Sequence, residues 1–155
     1  MNQKGKIIIV FIFVFTMLVI GTLFADEAAK AKALVEKGVV MAVTKGEEPT
    51  LQAIQNVNGP FIDGDLYLFA GPLDRVTMTA HPYKPQIVNT DLSTFNDGHG
   101  NFLFFDFAKI AIEDGAGWTE YWWPKPGSDE LSHKRTYVMR VPGQDMYIAC
   151  EYYMD

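Results

Sequence analysis

One cysteine, Cys150, stands in 155 residues, so no disulfide can form within the chain. It lies inside the apolar run Tyr147 to Tyr153, where a free cysteine ordinarily serves as a small buried core residue rather than a reactive thiol. Histidine is scarce as well: His81, His99 and His133 are far apart and leave no zinc-ligand spacing. The glycines form neither a phosphate-binding loop nor a nucleophile elbow. Paired acids, Asp63 with Asp65 and Glu113 with Asp114, fall where turns and helix ends put solvated charge. No enzyme activity and no cofactor is therefore expected. Basic charge is also short: 13 Lys and Arg face 19 Asp and Glu, which excludes the concentrated basic surface a nucleic-acid partner requires. Internal repeats and low-complexity linkers are lacking too.

What is present begins with a short basic start, Lys4 and Lys6, that runs into the uncharged stretch of 18 residues from Ile7 to Phe24. This is an export signal, with Ala25 as the small residue before a cut. Uncleaved, residues 7–24 approach the ~20 that a helix needs to cross a bilayer and would serve as an anchor in the inner membrane. Either way residues 26–155 are expected in the periplasm. Those 130 residues suffice for one domain and one core. Without Lys4 and Lys6 the 13 basic residues become 11, giving the exported part a formal charge of −8 that chiefly confers solubility.

Between Asp26 and Lys45, the residues Ala29, Ala33, Leu34, Val40, Met41 and Val43 recur near helical spacing and predict an amphipathic helix interrupted by Gly38. A second helix begins at Glu47-Glu48-Pro49-Thr50, uses Leu51, Ile54 and Val57, and ends at Asn58-Gly59-Pro60. Strands are predicted at Asp65 to Ala70, Val76 to Ala80, Trp118 to Trp123, Lys134 to Val141 and Met146 to Tyr153. A third helix, Asn101 to Ile112, is too apolar to be a purely surface one. The fold class is α+β: a five-stranded antiparallel sheet flanked by a long N-terminal helix, with the helices on one face. Between His81 and Asn101 runs an excursion of about twenty residues rich in Pro, Asn, Asp and Gly. Loops that long inside a compact domain are often binding lids.

Several strings, in this order and spacing, resemble the single Cache domain family of bacterial chemoreceptors, sensor kinases and stand-alone periplasmic proteins. They are Gly59-Pro60-Phe61-Ile62-Asp63-Gly64-Asp65-Leu66-Tyr67-Leu68-Phe69, Ala80-His81-Pro82, Asp97-Gly98-His99-Gly100-Asn101, Gly117-Trp118-Thr119-Glu120-Tyr121-Trp122-Trp123-Pro124, Lys134-Arg135-Thr136-Tyr137-Val138 and Tyr147-Ile148-Ala149-Cys150-Glu151-Tyr152-Tyr153. Two departures stand out. Leu73-Asp74-Arg75 lacks the glycine usual in that turn, and Glu151 takes a position where glycine is common. The resemblance implies a PAS-like sensor fold with a small pocket between sheet and excursion that accepts small organic acids, amino acids or similar metabolites. It also implies signalling through a membrane receptor or sensor kinase, as in chemotaxis.

Strand alternation puts Tyr121 and Trp123 on one face and Trp118, Glu120 and Trp122 on the other. With a hairpin loop from Pro124 to His133, Trp123 pairs with Lys134 and Tyr121 with Thr136. On pattern alone these aromatics read as core and Lys134 as an exposed side chain. The resemblance turns them into a pocket wall, with Tyr67 and His81 added at the mouth of the excursion. The candidate ligand-binding residues are thus Tyr67, His81, Tyr121, Trp123 and Lys134, the last as a pocket-edge ammonium for a carboxylate. His81 before Pro82 reads equally as the end of a strand. Asp97 to Asn101 reads as a helix-capping turn, since the alternating oxygens of a calcium loop are lacking. A different class of function remains open, a membrane-tethered structural or interaction domain presenting Trp118, Trp122 and their neighbours.

Overall fold

The computed structural model describes residues 26–154 except Arg75 and Pro126. The export segment therefore lies outside the described residues. The chain is helical over residues 26–45 (α1) and again over Glu47–Gln55 (α2). Strands β1 (Ile62–Asp63) and β2 (Leu66–Pro72) follow, then the excursion with a 3-10 turn at Pro85–Ile87. Helix α3 (Leu103–Glu113) leads into β3 (Ala116–Pro124), β4 (Leu131–Arg140) and β5 (Met146–Tyr153). The five strands form one sheet in the order β1-β2-β5-β4-β3, every pairing antiparallel.

The fold class agrees with the reading of the sequence, but four details differ. Helix α1 is not interrupted at Gly38. A Cβ there would lie 2.6 Å from Leu68 Cδ1, so the glycine lets the helix lie close against the sheet. Its buried stripe is Ala31, Val35, Gly38, Val39 and Ala42, whereas Val40 and Val43 face outward. Many alanines among charged neighbours made two stripes equally periodic, and packing chose this one.

Helices also cover both faces of the sheet rather than one. Leu66, Leu68, Ile148, Cys150 and Tyr152 pack with α1 and α2, while Tyr67, Phe69, Tyr147 and Ala149 pack with α3 and the excursion. Strands β2 and β5 are buried along nearly their whole length, and strands apolar on both faces need a cover on each. Cys150 is fully buried, and burial holds its thiol well above the ordinary range, so it stays protonated.

Val76 to Ala80 forms two isolated bridges, Ala70 with Ala80 and Met78 with Val88, instead of a strand. Two of its carbonyls are satisfied from within the excursion: Asn89 N–H donates to Met78 O at 2.8 Å and Leu92 N–H to Val76 O at 2.9 Å. The fifth strand is the two-residue β1 instead. Finally, the β3–β4 register differs by two residues from the expected one. Tyr121 pairs with Lys134 and Trp123 with Ser132. Because side chains alternate with period two, this slip leaves every residue on its expected face.

Candidate functional site

Four strands deliver polar side chains to the face covered by the excursion. Strand β2 supplies Tyr67, β3 supplies Tyr121, β4 supplies Lys134 and Thr136, and β5 supplies Glu151. Glu151 is their centre. Tyr67 Oη and Lys134 Nζ both donate hydrogen bonds to Glu151 Oε1, and Tyr121 Oη donates one to Oε2. Lys134 Nζ also donates to Tyr67 Oη at 3.3 Å and lies 4.5 Å from the centre of the Tyr153 ring. Thr136 Oγ1 donates to Tyr121 Oη at 2.8 Å.

Lys134 is 0% exposed and Glu151 2%. This corrects the expectation of a lysine at the pocket edge: Lys134 is buried, and a carboxylate of the chain itself already holds its charge. Burial works to raise the Glu151 carboxyl, but the Lys134 ammonium and the two phenols hold it below its usual range. Tyr67 and Tyr121 are both pushed well above the ordinary phenol range by burial and then by the neighbouring carboxylate, so both remain donors.

Above this network the excursion places His81, whose ring stacks on Phe69 with centroids 5.9 Å apart and tilts against Tyr67 at 5.3 Å. Its Nδ1 accepts two backbone bonds, from Tyr83 N–H at 3.2 Å and Lys84 N–H at 3.1 Å. Both accepted bonds need the Nδ1 lone pair, so the ring proton of the neutral histidine sits on Nε2. Burial lowers the His81 pKa to about 4, which keeps the ring neutral. The same two bonds show a structural use for His81: it ties the turn before the 3-10 segment.

A cavity of about 10 Å³, room for one water molecule, lies among Phe69, Met78, His81, Phe107, Tyr121, Trp123 and Glu151. Its walls come from β2, β3 and β5 below and from α3 and the excursion above. Trp123 is caged by Phe95 and Phe104, with centroids at 5.4 and 6.1 Å. Outside it a groove of about 440 Å³ contains Lys84, Phe95, Asp97, Trp122 and Leu131, and shares Ile87 and Trp123 with the inner cavity. These two shared side chains separate the two spaces.

Of the five residues named from the sequence, Tyr67, Tyr121 and Lys134 meet at Glu151, while His81, Tyr121 and Trp123 line the cavity. Glu151 itself was missed. Alternation along Tyr147, Ala149 and Glu151 places it on the Tyr67 side of the sheet, and that signal was available in the sequence. The Asp97 turn does not cap α3, whose N-cap is Phe102 with no side-chain bond; Asp97 instead braces its own turn and ties it to β3. Asp97 Oδ1 accepts from His99 N–H and Asn101 N–H, and Oδ2 accepts from Asn101 Nδ2 and from Trp122 N–H at 3.1 Å. Burial works to raise its pKa, but these bonds hold it down to about 2. On the opposite sheet face Trp118 packs against Tyr137 and Tyr152, and Trp122 is sandwiched between His99 and His133 at 4.9 and 5.0 Å. These contacts leave both tryptophans half-buried, and Trp122 borders the outer groove beside the exposed Leu131.

A five-stranded antiparallel sheet with a long N-terminal helix behind it and an aromatic-walled cavity under a long excursion is the architecture of a Cache sensor domain. Residues 29–155 match the family model of Single Cache domain 2, and the chain belongs to that family. It is 29% identical over 145 residues to the methyl-accepting chemotaxis protein McpP of Pseudomonas putida, an alignment covering 87% of this chain and 26% of the relative. The chain thus spans about a quarter of that receptor's length. Among solved structures it is similar to a periplasmic sensor domain of a chemotaxis protein, with 27% identity, a TM-score of 0.71, and coverage of 85% of this chain and 98% of the other. It shares the fold of a Cache chemosensory domain solved for its carboxylic acid recognition, with 22% identity, a TM-score of 0.71, and coverage of 87% and 98%.

Proposed function

We propose that residues 26–155 act in the periplasm as a small-molecule sensor, with the ligand held in the cavity between the sheet and the excursion, and that occupancy is passed to a membrane receptor or sensor kinase. One observation carries this reading. Five buried polar side chains form one network, two of which, Tyr121 and Glu151, line an aromatic-walled cavity, under a cover tied to the sheet by few backbone bonds. A core built for stability alone has little use for a buried ion pair, since apolar side chains of similar volume do as well or better. The inner space is nearly closed, so entry requires the excursion to move and Ile87 and Trp123 to part, joining it to the outer groove. That movement is what a sensor needs, because a ligand can shift the chain only through a difference in affinity between two arrangements.

The organic acid implied by the family resemblance is one ligand class within this reading, and it would have to compete with Glu151 for Lys134. A thermal-shift screen of the purified protein against small acids, amino acids, amines and alcohols tests the sensor function. A ligand at about 100 times its Kd stabilises the native state by about 2.7 kcal/mol, a rise in Tm on the order of 10 °C for a domain of this size. A complete screen with no shift in any class would count against the proposal.

A further inference from the structure

Resting on the sensor reading, the geometry points to a narrower ligand class: a small molecule that offers a hydrogen-bond donor, an amine or a hydroxyl on a short apolar body, rather than a carboxylate. The charged group that the cavity presents is the Glu151 carboxylate, beside the neutral Tyr121 and His81, and not the Lys134 ammonium, which does not line the space. Lys134 spends its three N–H groups on Glu151, on Tyr67 Oη at 3.3 Å and toward the Tyr153 ring. A carboxylate accepts about four hydrogen bonds, and Glu151 receives three, two on Oε1 and one on Oε2. One acceptor position on Oε2 is left, and both Glu151 and Tyr121, the donor to Oε2, line the cavity.

The remaining charges do not alter this balance. Lys134 and Glu151 cancel, the buried His81 is neutral with its proton on Nε2, and Lys84 borders the outer groove, not the inner cavity. An incoming carboxylate would therefore meet Glu151 at close range in a site of low dielectric, with no cation in the cavity lining to offset it. A donor group would complete Glu151 instead. Phe69, Met78, Phe107 and Trp123 supply the apolar walls for its short chain.

Titration calorimetry at neutral pH with n-propylamine, 1-propanol and propanoate, three probes of one length, reads this directly. In the wild type the amine or the alcohol is expected to bind at least tenfold more tightly than propanoate. In Glu151→Gln, which keeps the shape and removes the charge, the amine is expected to weaken at least tenfold and propanoate to gain, because Lys134 is then no longer neutralised. Propanoate binding as well as the amine and the alcohol in the wild type would overturn the inference while leaving the sensor reading intact. So would an order unchanged in a Glu151→Gln protein shown to be folded by circular dichroism, and if that variant does not fold, the wild-type order decides alone. Silence from all three probes also overturns it, and only an empty thermal-shift screen as well would remove the sensor reading with it.

Discussion

Removing the ammonium of Lys134 is expected to cost far more stability than its place on a strand beside a loop would imply. In Lys134→Met the carboxylate of Glu151 remains 2% exposed and keeps its bonds from Tyr67 and Tyr121, but the positive charge that balances it is gone. Breaking a buried pair from one side costs about 3–5 kcal/mol, whereas a typical domain has only about 5–15 kcal/mol in all. Glu151→Gln strands the ammonium and is expected to cost a similar amount. In the double variant neither charge is left, while the amide oxygen introduced by Glu151→Gln can still accept from the phenols. The double variant is therefore expected to be more stable than the sum of the single losses by at least about 1.5 kcal/mol. Urea unfolding of the four proteins, followed by far-UV circular dichroism, measures each ΔΔG and the coupling between the two sites. Single losses under about 1 kcal/mol with no coupling would refute the buried-pair reasoning.

Other parts of the fold respond to pH and to substitution in their own ways. The His81 pKa is lowered from 6.5 to about 4, so the unfolded chain binds the extra proton first; stability is full above about pH 6.5 and falls by roughly 3 kcal/mol as pH drops through 4. Urea titrations of wild type and His81→Gln between pH 7 and 4 check this, with a shallower fall expected in the variant. Gly38→Val puts side-chain atoms where a Cβ alone would be 2.6 Å from Leu68 Cδ1, and is expected to lower stability by about 1–3 kcal/mol, read as a lower Tm. Asp97→Ala removes the acceptor for three backbone N–H groups and is expected to cost about 1–3 kcal/mol while loosening the turn before α3, seen as faster amide exchange at His99 and Asn101. Cell fractionation is expected to find the intact chain outside the cytoplasm, and a chain lacking residues 1–25 inside it.

How far the sequence could be read depended on whether one local rule decided the outcome. Alternation along Tyr121-Trp122-Trp123 and Leu66-Tyr67-Leu68-Phe69 assigned faces correctly, because the pleat leaves no third choice. The β3–β4 register was misplaced by two residues, since loop length between prolines and polar residues is weakly specified and period two cannot report an even slip. The buried stripe of α1 was misread for a related reason: alanine and valine recur on two sides of that helix, and only Gly38 marks the side that touches the sheet. Of the five candidates drawn from family resemblance joined to alternation, His81, Tyr121 and Trp123 line the cavity and Tyr67 and Lys134 do not, and the buried charge pair was not foreseen. Lys134 and Glu151 lie on adjacent strands 17 residues apart, and neither spacing nor composition says that two such groups will meet in the interior. Glu151 was visible as a departure from glycine. Its consequence needed the geometry.

Titration calorimetry with the best compound from the screen, on wild type, Trp123→Ala and Trp118→Ala, tests most directly whether the cavity under the excursion is the sensing site. The two tryptophans belong to the same strand, Trp123 at the cavity and Trp118 against Tyr137 and Tyr152 on the opposite face. One ligand per chain is expected, with affinity at least tenfold weaker in Trp123→Ala and within twofold of wild type in Trp118→Ala. Equal affinity in all three proteins, or a greater loss in Trp118→Ala, would place the ligand elsewhere and contradict the account.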